Sequence, residues 1–293
     1  MYSRAPMRIS FGGGNTDLYP YRSLYGGCSI GTAIKKYATA RIGGNSNGEA
    51  LVSAIRDRMG FSEKIIVDSE APPLSGLGAS GAVAVAVIGL ISRGRMSRDA
   101  MAEMAFDVER NTLGIKGGAQ DQYWAAFGGM QYIEFGDGRI NILPMVRSSF
   151  IDDLERRVVL VYMGARSDGI MIHEDEARRT EVNIDELDRI KEIANEMRRL
   201  IRREDLYGFA DLLHLAWEEK RKLSTLVSTS QIDEFYEDIR KYGTLSGKLS
   251  GAGGGGYMML VCDNVGDTMK RIYELGYAPE KIQFDWEGVQ VIS

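Results

Sequence analysis

The sequence predicts an α+β fold built in two halves. Three observations carry this. Strand-like and helix-like segments are mixed without a steady strand–helix–strand beat, which argues against a doubly wound parallel sheet. Near residue 155 the chain changes from strand-rich to helix-rich sequence. Its 35 glycines, about 12% of the chain against a usual share of about 7%, gather at 12–14, 76–81, 114–118 and 251–256. Clusters beside regular elements signal backbone held close to a ligand or to another loop. The halves expected are 1–155 and 156–293.

Each element follows from its pattern. Residues 4–11 alternate loosely and lead into the first glycine cluster as a strand. CSIGTAIKKYATAR (28–41) and ALVSAIRDRMGFSEKIIV (50–67) read as strands with turns. Residues 82–91 are apolar all round, the mark of a buried helix. Ser97 is an N-cap for a helix that ends near Gly114. GGMQYIEFGDGRINILPM reads as a hairpin with Gly136, Asp137 and Gly138 in its turn. RRVVLVYMG is a buried strand. From Glu174 to Val227 the pattern is helical. Leu187, Ile190, Ile193, Met197, Leu200 and Ile201 recur at three and four residues, and a second helix runs through DLYGFADLLHLAWEEKRKL. A third covers 232–242. KLSGAGGGGYMMLVC then sets a glycine loop directly before a strand, and a helix near 265–275 and a last strand close the chain.

Composition narrows the function classes. Hydrophobic residues make up 44% and charged residues 26%, the balance of a soluble globular protein with an ample core. The net charge of -5 supplies no global basic field for nucleic acid or an anionic membrane, so a phosphorylated ligand needs a local site. Cys28 and Cys262 lie far apart without metal-ligand spacing and read as free thiols in a reducing compartment. MYSRAPMRIS lacks the apolar core of a secretion signal. Residues 82–91 fall short of the ~20 that span a bilayer. The expectation is a soluble cytoplasmic protein.

Four stretches carry candidate chemistry. In SGLGASGAVAV, glycines let several N–H groups converge, and the helix that follows adds its unpaired N–H groups and positive dipole end. Ser75 and Ser80 add hydroxyls for a phosphate oxygen or a bound Mg²⁺. The segment is neither GxxxxGK[ST] nor a good GxGxxG. Taken alone it reads equally as a turn capping a buried helix. RISFGGGNTDL places Asp17 nine residues after Arg8. That arrangement suits a polyhydroxylated ligand or, alone, a charged surface turn. ERNTLGIKGGAQDQ sets Glu109 and Asp121 twelve residues apart. Phosphoryl transfer needs such a pair, one carboxylate for Mg²⁺ and one for the attacking hydroxyl, although solvated acids have the same look. KLSGAGGGGYMML holds glycine at five of six positions before an apolar strand, which favours close backbone approach over a mobile loop.

Taken in order along the chain, these stretches resemble the GHMP family of small-molecule kinases, named for galactokinase, homoserine kinase, mevalonate kinase and phosphomevalonate kinase. The resemblance runs from Arg4 to about Leu260. The family's second motif is roughly P-x3-G-L-G-S-S-A, met here by Pro72, Gly76, Leu77, Gly78, Ala79, Ser80 and Gly81. Ala79 replaces the first serine and Gly81 the alanine. Galactokinase-like members carry an arginine with T-D nearby and a G-x-x-D-Q segment, matched by Arg8, Thr16, Asp17, Gly118, Asp121 and Gln122. The match looks strongest to the sugar-kinase branch containing D-glycero-D-manno-heptose phosphate kinases, although Asn15 stands where that branch has a third glycine.

The resemblance implies a fold with a ribosomal-protein-S5-like first half and a ferredoxin-like second half. It implies ATP and Mg²⁺ and a sugar or sugar-phosphate acceptor. ATP would lie on Ser75, Gly76, Leu77, Gly78, Ala79, Ser80, Gly81 and Ala82. Ser80 and Glu109 would hold the metal. Asp121 would be the base and Arg8 the stabiliser of the transferring phosphoryl. Asp17, Thr16, Gly118, Gly253 and Gly254 would meet the substrate. Arg22, Lys36, Lys116 and Arg147 are candidates for a phosphate on the acceptor.

Other residues read as structural. His173 in HEDEARR lacks a second histidine at Ala177, His214 sits in an apolar helix, and Tyr123 and Trp124 read as core. Two alternatives stay open. One is an isoprenoid kinase of the mevalonate type, which usually has lysine at the position of Arg8. The other is a non-catalytic nucleotide- or sugar-binding protein, against which Ser80, Glu109 and Asp121 together argue.

Overall fold

Two antiparallel sheets carry the chain, and the computed structural model describes residues 1–43, 50–165, 172, 175–176 and 178–292. The first sheet contains β1 (Tyr2–Gly12), β2 (Gly27–Ile42), β3 (Ile65–Ser69), β4 (Met130–Phe135), β5 (Ile140–Pro144) and β10 (Gln290–Ile292). Its order is β10-β1-β2-β4-β5, with β3 also paired to β2. The long β1–β2 ladder sets Arg8 opposite Ala33. Helices α1 (Tyr21–Tyr25), α2 (Ala50–Arg58), α3 (Ala79–Ser92), α4 (Arg98–Asp107) and α5 (Gln120–Phe127) follow in this half. α3 packs on β1 and β2, and α5 packs on β1.

The second sheet has order β7-β8-β6-β9, from β6 (Val158–Tyr162), β7 (Thr244–Leu249), β8 (Tyr257–Cys262) and β9 (Pro279–Lys281). Its central strands β6 and β8 are buried on both faces, as their near-continuous apolar sequence requires. Val158, Leu160, Met259 and Val261 join the same core as Ile9 and Phe11 of the first sheet. The alternate residues Val159, Val161, Met258 and Leu260 pack with Trp217, Phe235 and Ile239. The two halves therefore share apolar contacts through one face of the second sheet. Helix α7 (Ile184–Arg203) packs on α8 (Leu206–Leu223), and α8 packs on β7. α9 (Ser230–Ile239) and α10 (Val265–Glu274) complete this half.

The structure departs from sequence expectation in five places. Residues 50–58 form helix α2, with Val52 and Ile55 buried three residues apart, so only 65–69 of that segment is strand. The helix begun at Ser97 stops at Asp107 and becomes a π-helical turn over Val108–Thr112. Residues 244–249 form a strand, which makes 250–256 the connection of the β7–β8 hairpin. A short helix, α6 (Ser149–Arg157), precedes β6. Finally, β10 returns to the first sheet, pairing Ile292 with Tyr2, so the sheets do not part at a single point in the chain. The start of the segment read as helical from Glu174, with His173 and Ala177, lies outside the described residues. Among the described residues no helix is long and apolar enough to cross a membrane.

Candidate active site

A cleft opens between the two glycine loops and the N-terminus of α5. One wall is the segment 75–78 leading into α3. Leu74, Gly76 and Gly78 all take positive φ, of 59°, 85° and 72°. Gly78 caps α3 without a side chain, so the first backbone N–H groups of the helix are left for a ligand. Ala79, Ser80 and Gly81 line the cleft there. Ser75 lines it too, and its buried hydroxyl has no hydrogen-bond partner among the described residues. Leu77 and Ala82 are buried in the core behind the loop. They contribute backbone bonds, Leu77 C=O accepting from Arg8 N–H at 2.9 Å and Ala82 N–H donating to Gly78 at 3.0 Å.

Arg8 ties this loop to Asp121. Its Nε and Nη2 donate to the two oxygens of Asp121 at 2.7 and 2.9 Å, and its Nη1 donates to Gly76 C=O. Asp121 sits in the first turn of α5. A Cβ on Gly78 would lie 3.1 Å from Asp121 Oδ2, and one on Gly81 would lie 3.0 Å from Asp121 Cβ. The small residue at 81 therefore makes room for Asp121.

Glu109 lies in the π-helical turn, buried. One of its oxygens accepts from Ser80 Oγ and the other from Gln122 Nε2. Burial pushes its carboxyl above the usual range, with the charge of Asp121 adding to the rise and both hydrogen bonds opposing it. A hydroxyl and a carboxylate side by side are hard oxygen donors of the kind Mg²⁺ takes. Among the described residues no group of three or more His, Cys, Asp or Glu forms a protein-only metal cage.

Asp17 is 1% exposed and lines the cleft. Gln120 donates to it from its backbone N–H at 3.3 Å and from Nε2 at 3.4 Å. Any side chain on Gly118 would run into this carboxylate. Burial and the Asp121 charge push the Asp17 carboxyl up, partly offset by the Gln120 N–H and the charge of Arg22.

The structure leaves three expected substrate residues outside the cleft. Thr16 is buried, its hydroxyl accepting from Cys28 N–H at 2.9 Å and lying 2.7 and 2.8 Å from the carbonyls of Gly13 and Cys28. It fastens the turn that presents Asp17. Gly253 and Gly254 pack on Val227, with Gly254 N–H donating to Val227 C=O at 2.7 Å. Gly251 and Ala252 of that loop line the cleft instead.

Asn15, which stands where the sugar-kinase branch has a glycine, and two lysines not read from the sequence as site residues also line it. Asn15 takes φ 77°, a conformation asparagine tolerates in place of glycine, and its buried Nδ2 has no partner among the described residues. Lys248, on β7, is 4% exposed, and its Nζ donates to Ser10 C=O at 3.0 Å. Burial first, then the charges of Lys220 and Arg8, push its ammonium well below the usual lysine range. Lys220, on α8, donates to Gly251 C=O. Three cations from both halves thus converge beside the phosphate-loop candidate.

The remaining candidates separate cleanly. Lys36 pairs with Glu280 at 2.6 Å and Arg147 with Asp152 at 2.7 Å, both away from the cleft. Lys116 lines it. His214 is held between Tyr236 at 2.9 Å and Arg240 at 3.2 Å. Tyr123 and Trp124 are in the core.

Comparison with known proteins places this site in context. The chain matches the family models described as GHMP kinases N terminal domain, over residues 48–129, and GHMP kinases C terminal, over 197–274. Together these cover more than half of it. It is 27% identical to a D-glycero-alpha-D-manno-heptose 7-phosphate kinase of Campylobacter jejuni, covering 98% of this chain and 97% of that one. It is also 27% identical to a mevalonate kinase of Thermococcus gammatolerans, over 82% of this chain and 72% of the relative. A crystal structure of a D-glycero-D-manno-heptose 1-phosphate kinase from Bacteroides thetaiotaomicron superposes with a TM-score of 0.80 at 24% identity, covering 100% of this chain and 99% of that one. At that identity the superposition speaks for the fold alone.

Proposed function

The chain belongs to the GHMP kinase family, and we propose that it transfers the γ-phosphoryl group of ATP to a hydroxyl of a sugar or sugar phosphate, a heptose of the D-glycero-D-manno type. The observation that carries this reading is the Arg8 clamp. One guanidinium holds Asp121 through two hydrogen bonds and the 76–78 loop through a third. The carboxylate and the anion loop are thereby set at one point, with Asp17 and Asn15 in the same cleft for the acceptor.

The donor phosphates lie on the N–H groups at the start of α3, with the Ser75 hydroxyl free for a phosphate oxygen. Asp17, Asn15 Nδ2 and Gln120 hold acceptor hydroxyls. Asp121 takes the proton of the attacking hydroxyl as its oxygen bonds to the γ-phosphorus and the bond to the β-phosphate oxygen breaks, releasing ADP. Arg8 stabilises the charge on the transferring group. Lys248 and Lys220 bring further positive charge from the second half, where burial makes each charge count for more than in water. Ser80 and Glu109 would hold Mg²⁺, which supplies neutralisation of phosphate charge. In this division of labour 1–155 carries the phosphate loop and base, and 156–293 supplies the bracing third loop and the two lysines. Cys28 and Cys262, both buried free thiols, fit a cytoplasmic setting.

The sugar reading is favoured over mevalonate because the heptose phosphate kinase relative is matched over 97% of its length and the mevalonate kinase relative over 72%. ADP release with ATP and D-glycero-D-manno-heptose 7-phosphate, galactose or mevalonate tests it. Turnover with a sugar or sugar phosphate is expected. Turnover with mevalonate alone, or with no acceptor, would set the reading aside.

A further inference from the structure

Two arginines beside the acceptor end of the cleft form no ion pair with a carboxylate among the described residues, although Asp17 feels the charge of Arg22. Arg22 is 2% exposed. Its Nε and Nη1 have no hydrogen-bond partner there, and its Nη2 reaches only Gly136 C=O at 3.4 Å. The Arg22 guanidinium lies 4.8 Å from the Tyr19 ring centre and 5.7 Å from that of Phe106, which lines the cleft. Arg110 lies 4.3 Å from the same Tyr19 ring and itself lines the cleft. Tyr19 follows Asp17 by two residues, so this ring sets both guanidiniums at the acceptor end.

Bringing two like charges to one half-buried ring is unfavourable without an anion. The ring contributes about 0.5–2 kcal/mol per cation. An unpaired buried charge costs several kcal/mol. Scarcity of carboxylates does not explain the arrangement, since the chain has 41 Asp and Glu against 36 Lys and Arg. Elsewhere arginines find them, as Arg271 does with Asp238 at 2.7 Å. The two cations therefore form one field directed at the cleft, where Lys116 adds a third charge at the rim.

We infer that Arg110, backed by Arg22 across the Tyr19 ring and flanked by Lys116, is the subsite for a phosphate group already carried by the acceptor sugar. This rests on the kinase reading above and gives its substrate class as phosphorylated sugars. Guanidinium suits the task because its paired N–H groups match phosphate oxygens two at a time, as an ammonium cannot. Arg110 touches the phosphate. Arg22 is a positioning residue that supplies field from beneath. The phosphate would satisfy the cations while Asp17 takes hydroxyls further along the cleft.

The test compares ATP-dependent turnover of D-glycero-D-manno-heptose 7-phosphate and D-mannose 6-phosphate with that of the two unphosphorylated sugars. Wild-type protein should favour the phosphorylated member of a pair. Arg110→Met should raise KM for that member about 10–100-fold, the worth of one or two charge-assisted bonds. It should leave KM for ATP and the values for the free sugar unchanged, and Arg110→Lys should recover only part. Arg22→Met should unfold at the wild-type temperature or above it, because a buried unpaired cation is gone, yet raise KM for the phosphorylated sugar several-fold. Equal losses on both members of a pair, a raised KM for ATP, or an unchanged KM for the phosphorylated sugar would overturn the subsite. If wild type turns over none of the four sugars, the kinase reading fails by itself. Calorimetric titration with heptose 7-phosphate then decides the subsite. Binding that Arg110→Met abolishes supports it, and binding equal in both proteins, or absent from wild type, refutes it.

Discussion

A Cβ placed on Gly251 would lie 2.7 Å from the Cα of Gly76. The glycine loop of the β7–β8 hairpin is thus packed backbone to backbone on the candidate phosphate loop. Ser75 C=O accepts from Tyr257 N–H at 2.9 Å just beside this contact. Gly251 also takes φ 71°, where an L side chain is strained.

Replacing Gly251 by alanine should therefore push on the loop that holds the donor. Backbone strain and crowding together should cost about 2 kcal/mol or more. KM for ATP should rise more than KM for the acceptor. Urea unfolding and steady-state kinetics check both parts. An unchanged KM for ATP in a folded Gly251→Ala protein would mean that the contact does not shape the donor site.

Glu109→Gln separates stability from turnover. Burial holds the Glu109 carboxyl above its ordinary value in the folded protein. In the window between the ordinary and the folded value the native state binds more protons than the unfolded chain, so this group's contribution falls as pH rises. Glutamine removes that dependence. The variant should unfold at a higher temperature than wild type near pH 8, and the gap should close towards about pH 4. Turnover should fall about 100-fold, as expected when a group at developing charge is lost. Scanning calorimetry across pH and an ADP-release assay read the two effects. A variant less stable than wild type at every pH would show that the Ser80 and Gln122 bonds outweigh burial.

Lys248 has the opposite sign of titration. Its folded-state value lies well below that of a free lysine. At any pH below that folded value, the buried ammonium weakens the fold. The penalty fades as pH climbs towards the unfolded value of about 10.4. Lys248→Met should thus be more stable than wild type near pH 7, with the difference shrinking towards about pH 10. Its kcat should nevertheless fall about 100–1,000-fold if the charge faces the transferring phosphoryl. A Lys248→Met protein with normal kcat would remove Lys248 from the proposed machinery.

Legibility in the sequence followed local chemistry. Strings such as SGLGAS and SGAGGGG announce positive φ wherever they occur, and Gly76, Gly78, Gly251 and Gly253–Gly256 all adopt it. Residues 82–91 were readable as a buried helix because no polar face interrupts them. Residues 50–58 misled because their helical face is only two buried residues wide, Val52 and Ile55. Strand β7 was hidden by its polar residues Thr244, Ser246 and Lys248 and by Gly247, which has no side chain to mark a face. Thr16 looked like a ligand group because a hydroxyl beside Asp17 in sequence need not face the same way. Lys220 and Lys248 were missed for a different reason. Their significance lies in burial and in what they face across the cleft, and a lysine in a strand or helix carries no local mark of either.

The central claim is that the carboxylate held by Arg8 takes the proton of the acceptor hydroxyl. Asp121→Asn keeps the shape and an acceptor for one Arg8 hydrogen bond while removing the basic oxygen pair. Measured by ADP release with heptose 7-phosphate, its kcat should fall about 10²–10⁴-fold, with the affinity for ATP, measured by titration, within a few-fold of wild type. Turnover close to wild type, or loss of ATP binding in step with turnover, would contradict the account.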